Sequence, residues 1–449
     1  MRWRALCAVV AALAALSPLM AQDPSRPSQA PSIDSKDFRD ADFFQQTRIW
    51  RVQLTFTADE WRAMQPRGGT ASGFGIGFGG GLQGAEGSRN GVAARQGIVF
   101  DYVHADLAID GRAFPDVGVR FKGNGSYLRA RGTNKFSLKV DLNKYRSGQK
   151  LAGLSTINLQ NNITDISWMN EVLAYQLYRD AGVPAPRSSY ARVYVTVPGQ
   201  YADSYFGLYS ISENVDTNFA EDRFATRKGA ILKPSTRAPF TDLGAAWPSY
   251  NQTYDPKTTL SEAEQRRIIE FCQFVSHASD EDFAAKVGEY VDLDEFARYF
   301  AVLVWIANPD SLLQIGQNYY VYLHPDTRKL MFIPWDQDAS FGNFRMGGGF
   351  ESRTIFYPWS TVNPMLERIY KVDAFRTSYL DYMAEFTNTI FRPERFAAQM
   401  AAIAPVLRPA VEEEGAMRLP GFDAVASGSS GILPFAKARA AFVASQLVK

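Results

Sequence analysis

Apolar residues recur at every second position through much of the first half of this 449-residue chain, and at every third or fourth position through most of the second half. Such a chain buries strand faces first and helix faces later, so the expected class is α+β, with strands and helices segregated along the sequence. The alternation is plainest at Val52, Leu54 and Phe56, within a strand expected over 49–57. Further strands are expected over 99–109, 116–122, 135–142, 190–197 and 205–212, with a turn at Asp110-Gly111. Thr57, followed by Asp59 and Glu60, reads as an N-cap opening a short helix through Met64. Helical spacing over 168–180 opens near Asp165 or Ser167 and closes at Gly182 and Pro184. Helices then dominate, at 262–276, 280–289, 293–306 and most of the chain from Val362, interrupted by a hairpin-like pair at 317–323 and 330–333. Two lobes with a cleft between them are the expected architecture.

Residues 1–21 carry Arg2 and Arg4, a short apolar run and a small residue at Ala21, the pattern of a secretory signal peptide cleaved near Ala21. A secreted or extracytoplasmic location is expected, with no integral membrane segment in the mature chain, because that apolar run falls short of the ~20 residues a spanning helix needs. Residues 22–45 read as a flexible segment and 46–449 as one domain. Within it, a strand-rich lobe (46–215) carries a glycine-rich loop (66–90) and precedes a helical lobe (216–449). Gly75, Gly77 and Gly80 satisfy a Gly-x-Gly-x-x-Gly count, a match that arises by chance in so glycine-rich a tract. Lys plus Arg (48) nearly balance Asp plus Glu (47), so no strong positive field draws nucleic acid. Three His and two Cys leave little for Cys/His zinc sites or a disulfide framework. The chemistry falls to carboxylates, amides and lysines.

These residue types converge between Asn308 and Gly342. Asp310 follows an apolar helix at a proline turn, Asn318 opens one strand of the hairpin, and Asp336 and Asp338 follow the other. The start of the first strand and the end of the second lie side by side in a hairpin, so these side chains meet. Two carboxylates and an amide suit Mg²⁺ or Mn²⁺, and a further carboxylate can orient a hydroxyl nucleophile. The order Asp, Asn, Asp is that of protein kinases: base, metal amide, metal carboxylate. Singly, each residue is better explained as a turn or cap; all of them around one hairpin point to function. Upstream, Arg120 and Lys122 share one face of their strand, and Lys135 and Lys139 one face of the next. If these strands pair, the four cations form either a phosphate-binding wall or an ordinary solvated face. Glu213 ends a strand, and Lys233 sits in an apolar stretch where an unpaired charge is costly.

With these residues in place, the sequence resembles the CotH kinase family, named for spore-coat protein H. The likeness rests on Val119-Arg120-Phe121-Lys122-Gly123-Asn124-Gly125-Ser126, the strand from Lys135 to Val140, and Gly207-Leu208-Tyr209 leading to Glu213. It extends through Ile231-Leu232-Lys233, Asn318-Tyr319-Tyr320, and Trp335-Asp336-Gln337-Asp338 with Phe341-Gly342. The resemblance implies a bilobal atypical protein-kinase fold, ATP with Mg²⁺ or Mn²⁺ as cofactors, and Ser/Thr of a protein as acceptor; a monomer is expected. It makes Asp310 the catalytic base, and Asn318 with Asp338 or Asp336 the metal ligands. Arg120, Lys122, Lys135, Lys139, Glu213 and Lys233 become the nucleotide-side residues. Two features depart from the pattern: the Asp310-to-Asn318 loop is long and apolar, and Lys122 stands where the family tends to carry Arg. An inactive extracellular binding or structural protein, of coat or adhesin type on the same scaffold, is the alternative.

Overall fold

The computed structural model describes residues 40–66, 89, 91–95, 97–344, 348–359 and 363–448. The expected signal peptide, most of the flexible segment and nearly all of the glycine-rich loop lie outside the described residues. The class is α+β, with one large sheet, one small sheet and many helices.

Seven strands close into a barrel: β1 (Ile49–Thr55), β2 (Val103–Ile109), β3 (Arg112–Phe121), β4 (Leu138–Asp141), β5 (Thr156–Gln160), β6 (Ser188–Val197) and β7 (Tyr201–Glu213), in the order β1-β2-β3-β4-β5-β7-β6. The turn joining β2 to β3 places Asp110 and Gly111 both at positive φ, the conformation that suits a two-residue hairpin between right-twisted strands. The short 58–63 helix is capped by the Thr57 side chain, which accepts from the Glu60 N–H. Closure comes from β1, which pairs antiparallel with β2 and parallel with β6 over Ile49–Thr55. Trp50, Val52 and Leu54 of β1 meet Val119, Val140, Leu159 and Val193 in a continuous apolar filling, as alternation along each strand requires.

A second core is built around the Leu293–Ile306 helix, capped at its start by the Asp292 carboxylate and almost wholly buried. Trp305 stacks on Phe391 and Phe396, with centroids at 4.4 and 5.4 Å. The small sheet, β8 (Ala230–Leu232), β9 (Tyr319–Leu323) and β10 (Leu330–Pro334), runs in the order β10-β9-β8. The Asn170–Asp180 helix follows β5 in sequence, yet its apolar residues belong to this second core. It thereby ties the barrel to the helical region. Among the described residues, no helix is long and apolar enough to cross a membrane.

Candidate functional site

The β9–β10 hairpin gathers the expected carboxylates. Tyr319 pairs with Pro334, and the Trp335 N–H donates to the Asn318 carbonyl at 3.1 Å. Asn318 and Asp336 both have left-handed backbones (φ 63° and 55°), which Asn and Asp adopt more readily than most residues, so the chain bends sharply at both open ends of the hairpin. The Asn318 amide donates to the Asp310 carbonyl at 2.7 Å and holds the intervening loop against the hairpin. That loop is apolar because Leu312 and Leu313 enter the helical core. Asn308 accepts from the Asp310 N–H at 2.9 Å and donates to Gln337 at 3.2 Å. The Asp338 carboxylate accepts the Thr164 hydroxyl, while the Asn170 and Asn343 amides fix its carbonyl at 3.1 and 2.7 Å.

These groups line a cavity of about 340 Å³ that also presents Lys122, Lys233, Glu171 and the Gly123–Ser126 turn. Lys122 leaves the end of β3 and donates to Gln160 on β5 at 2.7 Å. Burial lowers its pKa, opposed by the charges of Asp336 and Glu171. Lys233 is pushed down to about 7 by burial and by the cations Lys257 and Lys122. Both ammonium groups lie over the Trp335 ring, at 5.2 and 5.4 Å. Gly123 has φ 91°, and a side chain there would strike the Ser126 hydroxyl.

On the acidic side, burial and the neighbouring Asp336 raise Asp310 to about 6 and Asp338 well above the carboxylate range. Glu171 is raised for the same reasons, against the hydrogen bond it accepts from Ser212 at 2.6 Å. Such crowding of oxygen ligands is relieved by a cation. Among the described residues, no group of three or more His, Cys, Asp or Glu could hold a metal by itself. The donor set fits Mg²⁺ or Mn²⁺ in the way those ions usually bind, with one or two carboxylates supplemented by an amide, water and phosphate oxygens.

The other expected residues lie outside this cavity's lining. Arg120 and Lys139 do sit directly opposite each other on β3 and β4, as their strand faces require. That face is covered rather than freely solvated: Arg120 is buried, and burial together with Arg120 and Lys257 drives Lys139 well below the usual lysine range. Lys135 turns to Glu414, at the end of the Pro393–Glu414 helix, and is pushed down to about 7 chiefly by burial. Glu213 is fully buried between Arg187 and Arg223, at 2.6 and 2.8 Å.

Sequence reasoning missed Glu171 and Thr164. Glu171 carries one signal, a carboxylate in the first turn of a helix that continues with the apolar run Val172-Leu173-Ala174. Thr164 carries none, because it meets Asp338 across 174 residues.

Comparison with known proteins bears on the family. The family described as CotH kinase protein matches residues 119–443. Inner spore coat protein H of Bacillus subtilis (strain 168) is 23% identical over 299 residues, covering 66% of this chain and 78% of the relative. A solved HipA–HipB–operator DNA complex of a Shewanella oneidensis MR-1 toxin–antitoxin system aligns with 66% of this chain and 60% of its own, at 11% identity. Its TM-score of 0.28 is too low to bear on the fold. The match over 119–443 spans well over half of the sequence, and the chain belongs to the CotH family.

Proposed function

We propose that this protein is an ATP-dependent protein kinase that transfers the γ-phosphate to Ser or Thr of a secreted, envelope or coat protein. The observation that carries the reading is one cavity bordered by Asp310, Asn318, Asp336 and Asp338 and also by Lys122 and Lys233. Asp310 is the base that accepts the proton of the acceptor hydroxyl. Its raised pKa suits a group that must take up a proton near neutrality. Asn318 and Asp338, with Asp336 beside them, hold a divalent cation, which supplies charge neutralisation of the phosphates. Lys122 and Lys233 bind phosphate oxygens, and Asp336 with Glu171 favours the charged form of Lys122 against its burial. Arg120 and Lys139 support this wall from behind, Glu213 anchors Arg187 and Arg223, and Lys135 fastens the barrel to the C-terminal helices. The expected bilobal arrangement, with the cleft between barrel and helical region, belongs to the same reading. The spore-coat name of the relative supports an extracytoplasmic or coat location, as do Arg2, Arg4 and the short apolar run behind them.

A thermal-shift titration with a non-hydrolysable ATP analogue and Mn²⁺ tests the reading. A rise of several degrees is expected, lost in Asp338→Asn. No shift in the wild type would favour the second reading, a catalytically inactive coat or binding protein, which the relative's name also supports.

A further inference from the structure

A second cavity, of about 590 Å³, lies at the other end of β9 from Asn318, where the strand finishes at Leu323 and His324. Its lining carries four basic side chains, Arg227, Lys228, Arg267 and Arg328, against one carboxylate, Glu264. That carboxylate is occupied locally. It accepts the backbone N–H and the hydroxyl of Ser261, both at 2.7 Å, in the capping box of the Glu262–His277 helix. Arg227 shares its charge with Glu221. Arg267 lies 3.9 Å over the Tyr290 ring and donates to the carbonyls of Arg328 and Glu289, with Glu270 no nearer than 3.9 Å. Lys228 and Arg328 are exposed. The Nδ1 of His324 accepts the backbone N–H groups of Asp326 and Thr327, at 3.2 and 3.4 Å. The ring proton of the neutral imidazole therefore sits on Nε2, which is left as a donor. The groove offers cations and donors, and a complementary ligand must bring negative charge and acceptors.

We propose that this groove binds an acidic segment of the protein substrate, an inference that rests on the kinase reading above. Asn318, just before β9, lines the first cavity and Leu323 the second, five steps of ~3.4 Å or about 17 Å apart. An extended peptide reaching from one to the other spans at least about five residues. The substrate class is thus a Ser or Thr acceptor set five or more residues from a cluster of carboxylates or phosphoserines, which present the same anionic oxygens.

Fluorescence anisotropy of the full chain without nucleotide tests this. Three labelled peptides share one Ser and differ six residues away in carrying four Glu, two phosphoserines or four Lys. The two anionic peptides are expected to bind about tenfold or more tightly than the Lys peptide, more weakly as salt rises. In Lys228→Glu/Arg328→Glu their affinity is expected to drop about tenfold, with thermal unfolding unchanged because both side chains are exposed. Tighter binding of the phosphoserine peptide than of the Glu peptide would identify phosphate as the preferred source of charge. Binding is measured without nucleotide, so the groove stands or falls separately from phosphotransfer. Equal binding by wild type and the charge-reversed variant, or no binding of either anionic peptide, would overturn the proposal. So would an oligonucleotide that binds through the same two residues more tightly than the peptides.

Discussion

The Thr164 hydroxyl donates to the Asp338 carboxylate, joining the loop after β5 to the segment after β10. That loop is held by Arg418, whose guanidinium donates to the carbonyls of Asn162 and Asp165 at 2.7 and 2.8 Å and lies 4.0 Å over the Trp168 ring. The bond to Thr164 lowers the pKa of Asp338 against burial and the repulsion of Asp336. In Thr164→Val the carboxyl takes its proton at higher pH, so the acid limb of the phosphotransfer profile should move to higher pH. Activity at neutral pH should fall about tenfold or more, the usual weight of a hydrogen bond to a charged group. The pH–rate profile checks both.

Gly207 has φ 128°, and a Cβ there would lie 2.7 Å from Glu414 Oε2, the oxygen that accepts the Leu208 N–H at 2.8 Å. Glu414 also pairs with Lys135 and Arg418. Gly207→Ala combines backbone strain with a collision and should destabilise by about 1–3 kcal/mol. Urea denaturation measures the loss, and Gly207→Ser or Gly207→Thr should fare no better, because the obstacle is the Cβ itself.

The hairpin and the meeting of its polar residues were readable because their determinants are local. Asn318 sits one residue before the apolar run of β9 and Asp336 two residues after that of β10, and the antiparallel register follows from the turn between the strands. Strand periodicity also put Arg120 and Lys139 on matching faces. Periodicity says nothing of what covers a face, and the choice between solvated and buried was settled by tertiary packing. Barrel closure was hidden for a related reason: β1 meets β6 in parallel, 141 positions on at Ile49↔Tyr190. β5 (Thr156–Gln160) escaped notice because it is short and its alternation offers only two apolar residues, Ile157 and Leu159. The Gly125–Ala130 helix begins with Gly and Ser, which read as a loop.

Glu213 offers a case where stability is the readout. Its fully buried carboxylate is bound by two arginines. Glu213→Gln removes the buried counter-charge from Arg187 and Arg223 and leaves them the exposed Asp222, so it should cost about 3 kcal/mol in denaturant unfolding, the low end for breaking a buried pair.

Lys233 and Lys135 give stability a pH dependence. Both have folded pKa values near 7, depressed from 10.5 mainly by burial. Above pH 7 the unfolded chain binds more protons at these lysines than the folded one, so their contribution makes stability rise with pH from about 7 towards 9. Cys272, pushed up to about 12 by burial, opposes this only at higher pH, where the unfolded thiol ionises first. Lys233→Met should show a shallower rise than the wild type over pH 7–9 in thermal unfolding. Identical slopes would mean that the folded Lys233 keeps its proton.

The most direct measurement is transfer of labelled γ-phosphate from ATP to the protein itself or to a generic Ser/Thr acceptor, with Mg²⁺ or Mn²⁺, by the wild type, Asp310→Asn and Asp338→Asn. We expect metal-dependent incorporation by the wild type and a loss of about 100-fold or more in each variant, with folding intact, since general-base catalysis alone contributes roughly 10²–10⁴-fold. Equal incorporation by all three, or none by a wild type supplied with metal and nucleotide, would contradict the assignment of this cavity as a kinase site.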